Sequence, residues 1–357
     1  MGFFRAGLAA LSLTFVFALA VAPLLSGTAR GGEADKPPRL RLACTTFPVW
    51  LLTRNVTVGI TLFEIDLVLP ADSGCPHDYE PAPQDIRRIA VADALVINGL
   101  GLDNALVPPP PVLARDPVTP VIDASLRDRP SWIRSGARAS DDDVHNVLPP
   151  DVAAEWETGP GDEDDDHGHH DTHDGHGEWN PHYFASPEEA ALAAVAIARG
   201  IDKHFGQYLT AAQRRMMMEN VKRYTEDLRA LAGTMRGEIA KLPSRRIVTH
   251  HDAFDYFARD LGLRVVGLLE THPGVEPSPA ELKRMVETAR LLRAGGVFTE
   301  PQFDPALALL AAEGIGVAHG VLDAVASGSI EAPLDHYQKT MRANLAQLVT
   351  VLGKAEP

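Results

Sequence analysis

Lysine and arginine are missing altogether between residues 141 and 178, a stretch crowded with aspartate and glutamate. The formal net charge of −15 is concentrated there, which leaves the rest of the chain near neutral. Phosphate backbones require clustered basic residues, so nucleic acid is excluded as a partner. Long apolar runs are almost as scarce. The one that could cross a bilayer, residues 6–25, follows Arg5 and is succeeded by the small residues Gly27 and Ala29. It reads as a secretory signal over residues 1–29, and retention as an uncleaved anchor is the alternative. No cysteine directly follows it, so lipid attachment is not indicated. Cysteine is limited to Cys44 and Cys75. In an oxidising compartment that pair points to a disulfide, with two buried thiols as the alternative. The helical zinc-hydrolase signature HExxH is absent as well.

What is present is enough for two cores: 357 residues with 45% hydrophobic content. The most unusual segment is DEDDDHGHHDTHDGHGEWNPHYF, in which His167, His169, His170, His173 and His176 are interleaved with acids and glycine. Such a composition cannot build a core, so a solvated loop over about residues 141–178 is expected. Its imidazoles and carboxylates suit zinc and its neighbours. The loop is expected to collect metal weakly, with a better-defined site elsewhere.

Short apolar strands and helical segments alternate on either side of this loop. Residues 39–45, 64–69, 94–98 and 120–123 read as strands, and helices fall between the first three. That order implies a parallel sheet with crossover helices. Ser186-Pro187-Glu188-Glu189 opens a helix, and a capping box at Thr210 and Gln213 opens the longest one. Along it Met217, Val221, Tyr224, Leu228, Leu231, Met235 and Ile239 recur at steps of three and four until Pro243. A second strand–helix series follows: strands at 246–250, 264–269, 296–299 and 316–322, then an amphipathic helix over 335–352. The expected architecture is α/β: two parallel-sheet lobes joined by one long rigid helix, with a metal site between them. Its boundaries are 38–205 for the first lobe, 206–242 for the linking helix and 243–357 for the second lobe. Residues 127–161 match no pattern.

Ligands of parallel α/β sheets bind beyond the carboxyl ends of strands. Four residues with metal-binding side chains fall there or in adjoining loops. They are His77 in CPHDYEP, His182 in NPHYF, His251 in THHDAF and Asp323 in VLDA. His250 and His251 end an extended segment, where successive side chains point oppositely, so one can face the cleft while its neighbour packs away.

The ordered motifs TTFPVW, PHDYEPAPQDIRRIAVADALVINGLGLDNAL, NPHYFASP, IVTHHDAFDYFARDLGLRVVG, PGVEPSPAELKRM, FTEPQF and VLDA resemble the periplasmic zinc/manganese substrate-binding proteins of ABC transporters. The resemblance covers most of residues 40–350. It implies His77, His182, His251 and Asp323 as metal ligands, and it matches the acidic histidine-rich insert to the zinc-binding branch. It also implies a periplasmic monomer that captures Zn²⁺ and delivers it to a membrane permease with a cytoplasmic ATPase. Glu300, in FTEPQF, is expected to orient a ligand histidine. Three imidazoles and one carboxylate suit zinc, whereas manganese more usually takes an extra carboxylate. A manganese- or iron-binding member, or a secreted zinc-sequestering or adhesion protein of this fold, is the alternative. Catalysis is not expected, since four protein ligands leave no coordination position for an activated water. Three departures stand out: Cys75 where an acidic or small residue is usual, His272 in the PGVEP loop, and residues 127–161.

Overall fold

The computed structural model describes residues 39–74, 76, 79–107, 119–125, 179–270 and 277–354. The expected signal segment, His77, Cys75, His272 and the histidine-rich loop with His167, His169, His170, His173 and His176 lie outside the described residues.

The first sheet is built from β1 (Leu40–Cys44), β2 (Phe63–Leu67), β3 (Ala94–Ile97) and β4 (Val121–Asp123), in the order β2-β1-β3-β4. All its pairings are parallel. β3 is the run ALVI, buried at every position, as a strand covered on both faces requires. Helix α1 (Phe47–Thr57) follows β1, and α2 (Pro83–Ala90) lies between β2 and β3. After β4 the chain returns at Trp179, makes a 3₁₀ turn over His182–Ala185 and enters α3 (Pro187–Phe205).

Helix α4 (Ala211–Ile239) comes next. Its 29 residues span about 44 Å at 1.5 Å each. Thr210 accepts from the Gln213 backbone N–H at 3.2 Å while Gln213 accepts from the Thr210 N–H at 2.9 Å, so the capping box opens the helix as its sequence indicates. Residues 206–210 are not part of this helix, because the cap halts it at Thr210. α4 packs on α1 and α3 of the first lobe, and on α5 (Asp255–Leu261) and α8 (His336–Leu352) of the second. Its apolar stripe from Met217 to Ile239 lies in a core that continues into both lobes.

The second sheet repeats the first. β5 (Arg246–Thr249), β6 (Arg264–Leu268), β7 (Gly296–Thr299) and β8 (Ala318–Val321) run parallel in the order β6-β5-β7-β8. Helices α6 (Pro279–Leu291) and α7 (Ala306–Ile315) complete the lobe. α5 is entered through a 3₁₀ turn over Asp252–Phe254 and ends at Gly262, whose φ of +78° a side chain would strain.

In both sheets the chain reverses its winding between the first and third strands, which opens a crevice at their carboxyl ends. The segment after β8 then crosses to the first lobe. The Gly328 N–H donates to the Ala71 carbonyl at 2.6 Å, Arg54 Nη1 to the Ala332 carbonyl at 2.6 Å, and Asn55 Nδ2 to the Leu334 carbonyl at 3.0 Å. A side chain at Gly328 would also run into the Phe47 ring.

The expected disulfide is not found at Cys44, which is a free thiol. Its position at the end of β1 points it into the core, fully buried, and that burial pushes the thiol up to about 12.

Candidate metal centre

His251 follows β5, and Glu300 follows β7, the two strands that flank the crevice of the second lobe. Nδ1 of His251 lies 2.7 Å from Oε1 of Glu300, and both side chains are buried. His250 turns the other way. Its Nε2 is 3.0 Å from Oε1 of Glu270, at the end of β6, on the opposite side of β5. The neighbouring imidazoles thus meet acids at the ends of different adjacent strands. Phe303 lies against both, stacked on His250 with centroids 3.9 Å apart and edge-on to His251 at 5.7 Å. Burial lowers the pKa of His250, with the Glu270 and Glu300 charges pulling the other way.

His182 arrives from the first lobe on the turn that follows Trp179. The turn is riveted to both lobes. Asn98 Nδ2 donates to the Pro181 carbonyl at 3.1 Å, and the Tyr183 hydroxyl donates to the Asn98 carbonyl at 2.8 Å. From the other lobe, the Tyr256 hydroxyl donates to the Asn180 carbonyl at 2.8 Å and the Tyr337 hydroxyl to the Phe184 carbonyl at 2.7 Å. Asn98 is itself held by Asp103, whose carboxylate accepts from the N–H groups of Asn98 and Gly99 and from the Thr45 hydroxyl. The two imidazoles meet with centroids 5.1 Å apart and planes at 87°. Potential donor atoms of His182, His251 and Asp252 lie within 4.8 Å of one another, the one such group of histidines and acids among the described residues.

Asp323 stands outside that group, at the end of the last strand. Its Oδ1 accepts from the Val325 N–H at 2.7 Å, and Asn344 brackets its backbone. Burial raises its carboxyl above the ordinary value, with the Glu300 charge adding to the effect; the Val325 bond and His336 oppose it. Just beyond His77, Asp85 accepts from the Tyr79 hydroxyl at 2.7 Å and the Ala82 N–H at 2.9 Å, which anchors the chain there. A cavity of about 700 Å³ at the start of α4 includes none of these residues.

Sequence reasoning did not single out Asn180, Asp252 or Glu270. The dipeptide Asn-Pro before His182 is a turn signal that points to Asn180.

Residues 42–351 match the family model described as zinc-uptake complex component A, periplasmic. The chain belongs to this family. Zinc-uptake component A relatives include the high-affinity zinc uptake system protein of Yersinia pestis, 27% identical over 79% of this chain and 82% of that protein. The corresponding protein of Brucella abortus is 29% identical, over 48% of this chain and 49% of its own length. The match thus spans about half of the Brucella relative. Among solved structures, the substrate-binding protein FpvC of Pseudomonas aeruginosa in complex with Mn²⁺ superposes with a TM-score of 0.66 at 26% identity, covering 88% of this chain and 98% of that one. Component A of zinc uptake therefore sets the family and the two-lobed fold.

Proposed function

We propose that this chain captures Zn²⁺ outside the cytoplasm and delivers it to the permease of an ABC importer. The observation that carries this reading is the pair of buried imidazoles from opposite lobes, each with Nδ1 turned to an oxygen. A histidine whose Nδ1–H is held by an oxygen coordinates through Nε2. His182 and His251 are assigned as ligands in this way, with His77 and Asp323 completing a nitrogen-rich set and Glu300 orienting His251. Such a set suits Zn²⁺. A fully ligated ion is cargo, since no position is left for a water to be activated. Residues 1–29 serve as the export signal, and the mature protein acts as a monomer with the permease as its partner.

Carboxylates around the pair favour one competing reading. Asp252, Glu300 and Asp323 together offer the oxygen-rich surroundings that manganese prefers. Competition titrations of the mature protein with Zn²⁺ and Mn²⁺ against a chromogenic chelator separate the two. The expected result is one tight zinc event plus weaker events that vanish when residues 162–177 are deleted. Tighter manganese binding, or loss of the tight event on that deletion, would overturn the assignment.

A further inference from the structure

We infer that Asn180 is a positioning residue that sets which nitrogen of His182 faces the metal and holds the two lobes' imidazoles at their spacing. The inference rests on His182 being a ligand.

Asn180 is completely buried. Its Oδ1 receives two contacts from one residue: the His182 backbone N–H at 2.9 Å and His182 Nδ1 at 3.0 Å. Its Nδ2 points to three oxygens of the second lobe: the Asp252 carbonyl at 2.9 Å, Asp255 Oδ2 at 3.2 Å and Asp252 Oδ2 at 3.3 Å. The network leaves one orientation of the amide. A backbone N–H can only donate, so the atom facing it must be oxygen, and the atom facing three oxygens must be the NH₂. An amide oxygen only accepts, so His182 Nδ1 must carry the proton and coordination falls to Nε2.

Asp252 competes for the same role, because its Oδ1 is 3.6 Å from His182 Nδ1. That distance is too long for a hydrogen bond, whereas Asn180 is within range. Asp252 therefore lies near this edge of the ring without a hydrogen bond to it.

The choice of asparagine follows from the same contacts. Aspartate would accept from His182 equally well but would set a third carboxylate against Asp252 and Asp255. Leucine or alanine would remove the acceptor from the His182 N–H and the donor from all three oxygens. Only an amide joins an accepting end on the ligand turn to a donating end on the turn that carries His251.

The test is long-range ¹H–¹⁵N correlation of the histidine rings in the full mature chain without metal, followed by zinc titration. In the wild type, the His182 ring is expected as the Nδ1–H tautomer, with the Nε2 resonance moving on zinc addition. Asn180→Ala is expected to shift the ring toward the Nε2–H form and weaken zinc binding about 10–100-fold. Asn180→Asp is expected to restore the tautomer, because the accepting atom is kept, and Asp252→Asn to leave it unchanged. An unchanged tautomer in Asn180→Ala, or a change in Asp252→Asn instead, would overturn the inference. A His182 Nε2 resonance in the wild type that ignores zinc would instead remove the ligand assignment beneath it. An equal loss of thermal stability in both Asn180 variants, with the tautomer intact, would mark the residue as structural only and overturn the inference.

Discussion

Replacing Glu300 with glutamine tests the electrostatic half of the proposed metal centre while preserving its shape. In the native protein Oε1 faces His251 Nδ1 at 2.7 Å and Oε2 accepts from Gln302 Nε2 at 2.9 Å, with the side chain 1% exposed. Oε2 accepts a hydrogen bond, while Oε1 faces the imidazole as an ion-pair partner. Glutamine offers one oxygen, so one of the two neighbours must face an NH₂. If the oxygen stays on His251, a charged contact becomes a neutral one, a difference of about 1–1.5 kcal/mol. Losing the negative charge also makes the imidazole a poorer donor to a cation, and outer carboxylates of this kind are worth about 10–100-fold in metal affinity. A 10–100-fold loss is about 1.4–2.7 kcal/mol, so the two estimates meet near 1.5 kcal/mol. Glu300→Gln should thus weaken zinc binding about 10–100-fold in competition with a chelator at neutral pH, with the apo protein's melting temperature nearly kept. A loss as complete as that of His251→Ala would mean Glu300 itself is a ligand. Affinity within twofold of wild type would mean the pair has no part in binding.

His251→Ala should abolish the tight zinc event in calorimetry, whereas His250→Ala should retain it with a modest loss, because Phe303 backs both rings. Equal loss in both would show that the imidazoles act together. Burial pushes the Asp103 carboxyl up to about 6 from 3.8, so between those values the fold holds a proton that the unfolded chain has released. That contribution therefore lowers stability as pH rises from about 4 to about 6, by about 3 kcal/mol. Urea unfolding should show this fall in the wild type and not in Asp103→Asn; the same slope in both would refute it. A side chain at Gly328 would place its Cβ 2.4 Å from Phe47 Cζ, so Gly328→Val should cost about 1–3 kcal/mol in thermal unfolding. No change would show that the crossing segment yields easily.

The fold was legible because its signals are local. Uninterrupted apolar runs such as ALVI mark buried parallel strands, and the Thr210–Gln213 and Ser278–Glu281 boxes mark helix starts to the residue. The ends of β5 and β7 place His251 and Glu300 at a topological reversal, so strand order alone brings them near. The partners of His182 were not legible. Asn180 meets Asp252 and Asp255 across more than 70 residues of sequence, and an asparagine two positions before a histidine reads first as a turn. Glu270 went unremarked because an acid at a strand end is ordinary until a buried imidazole lies beside it. The reading of Cys44 and Cys75 as a pair meets a Cys44 that is buried and free, with Cys75 outside the described residues.

The segment from Asp323 to Leu334 begins at a proposed ligand and is then fastened to the opposite lobe at three points. Together with α4, which packs on helices of both lobes, it ties the two halves together. If the chain carries metal as proposed, a protein fastened in this way is expected to unload without swinging open like a jaw. On that proposal the ion would leave through small displacements of individual side chains and turns, with each bond to the metal exchanged for one offered from outside. The pace of unloading would then belong to the receiver, and in isolation the protein would act as a rack that keeps what is placed on it until another set of donors lifts it off.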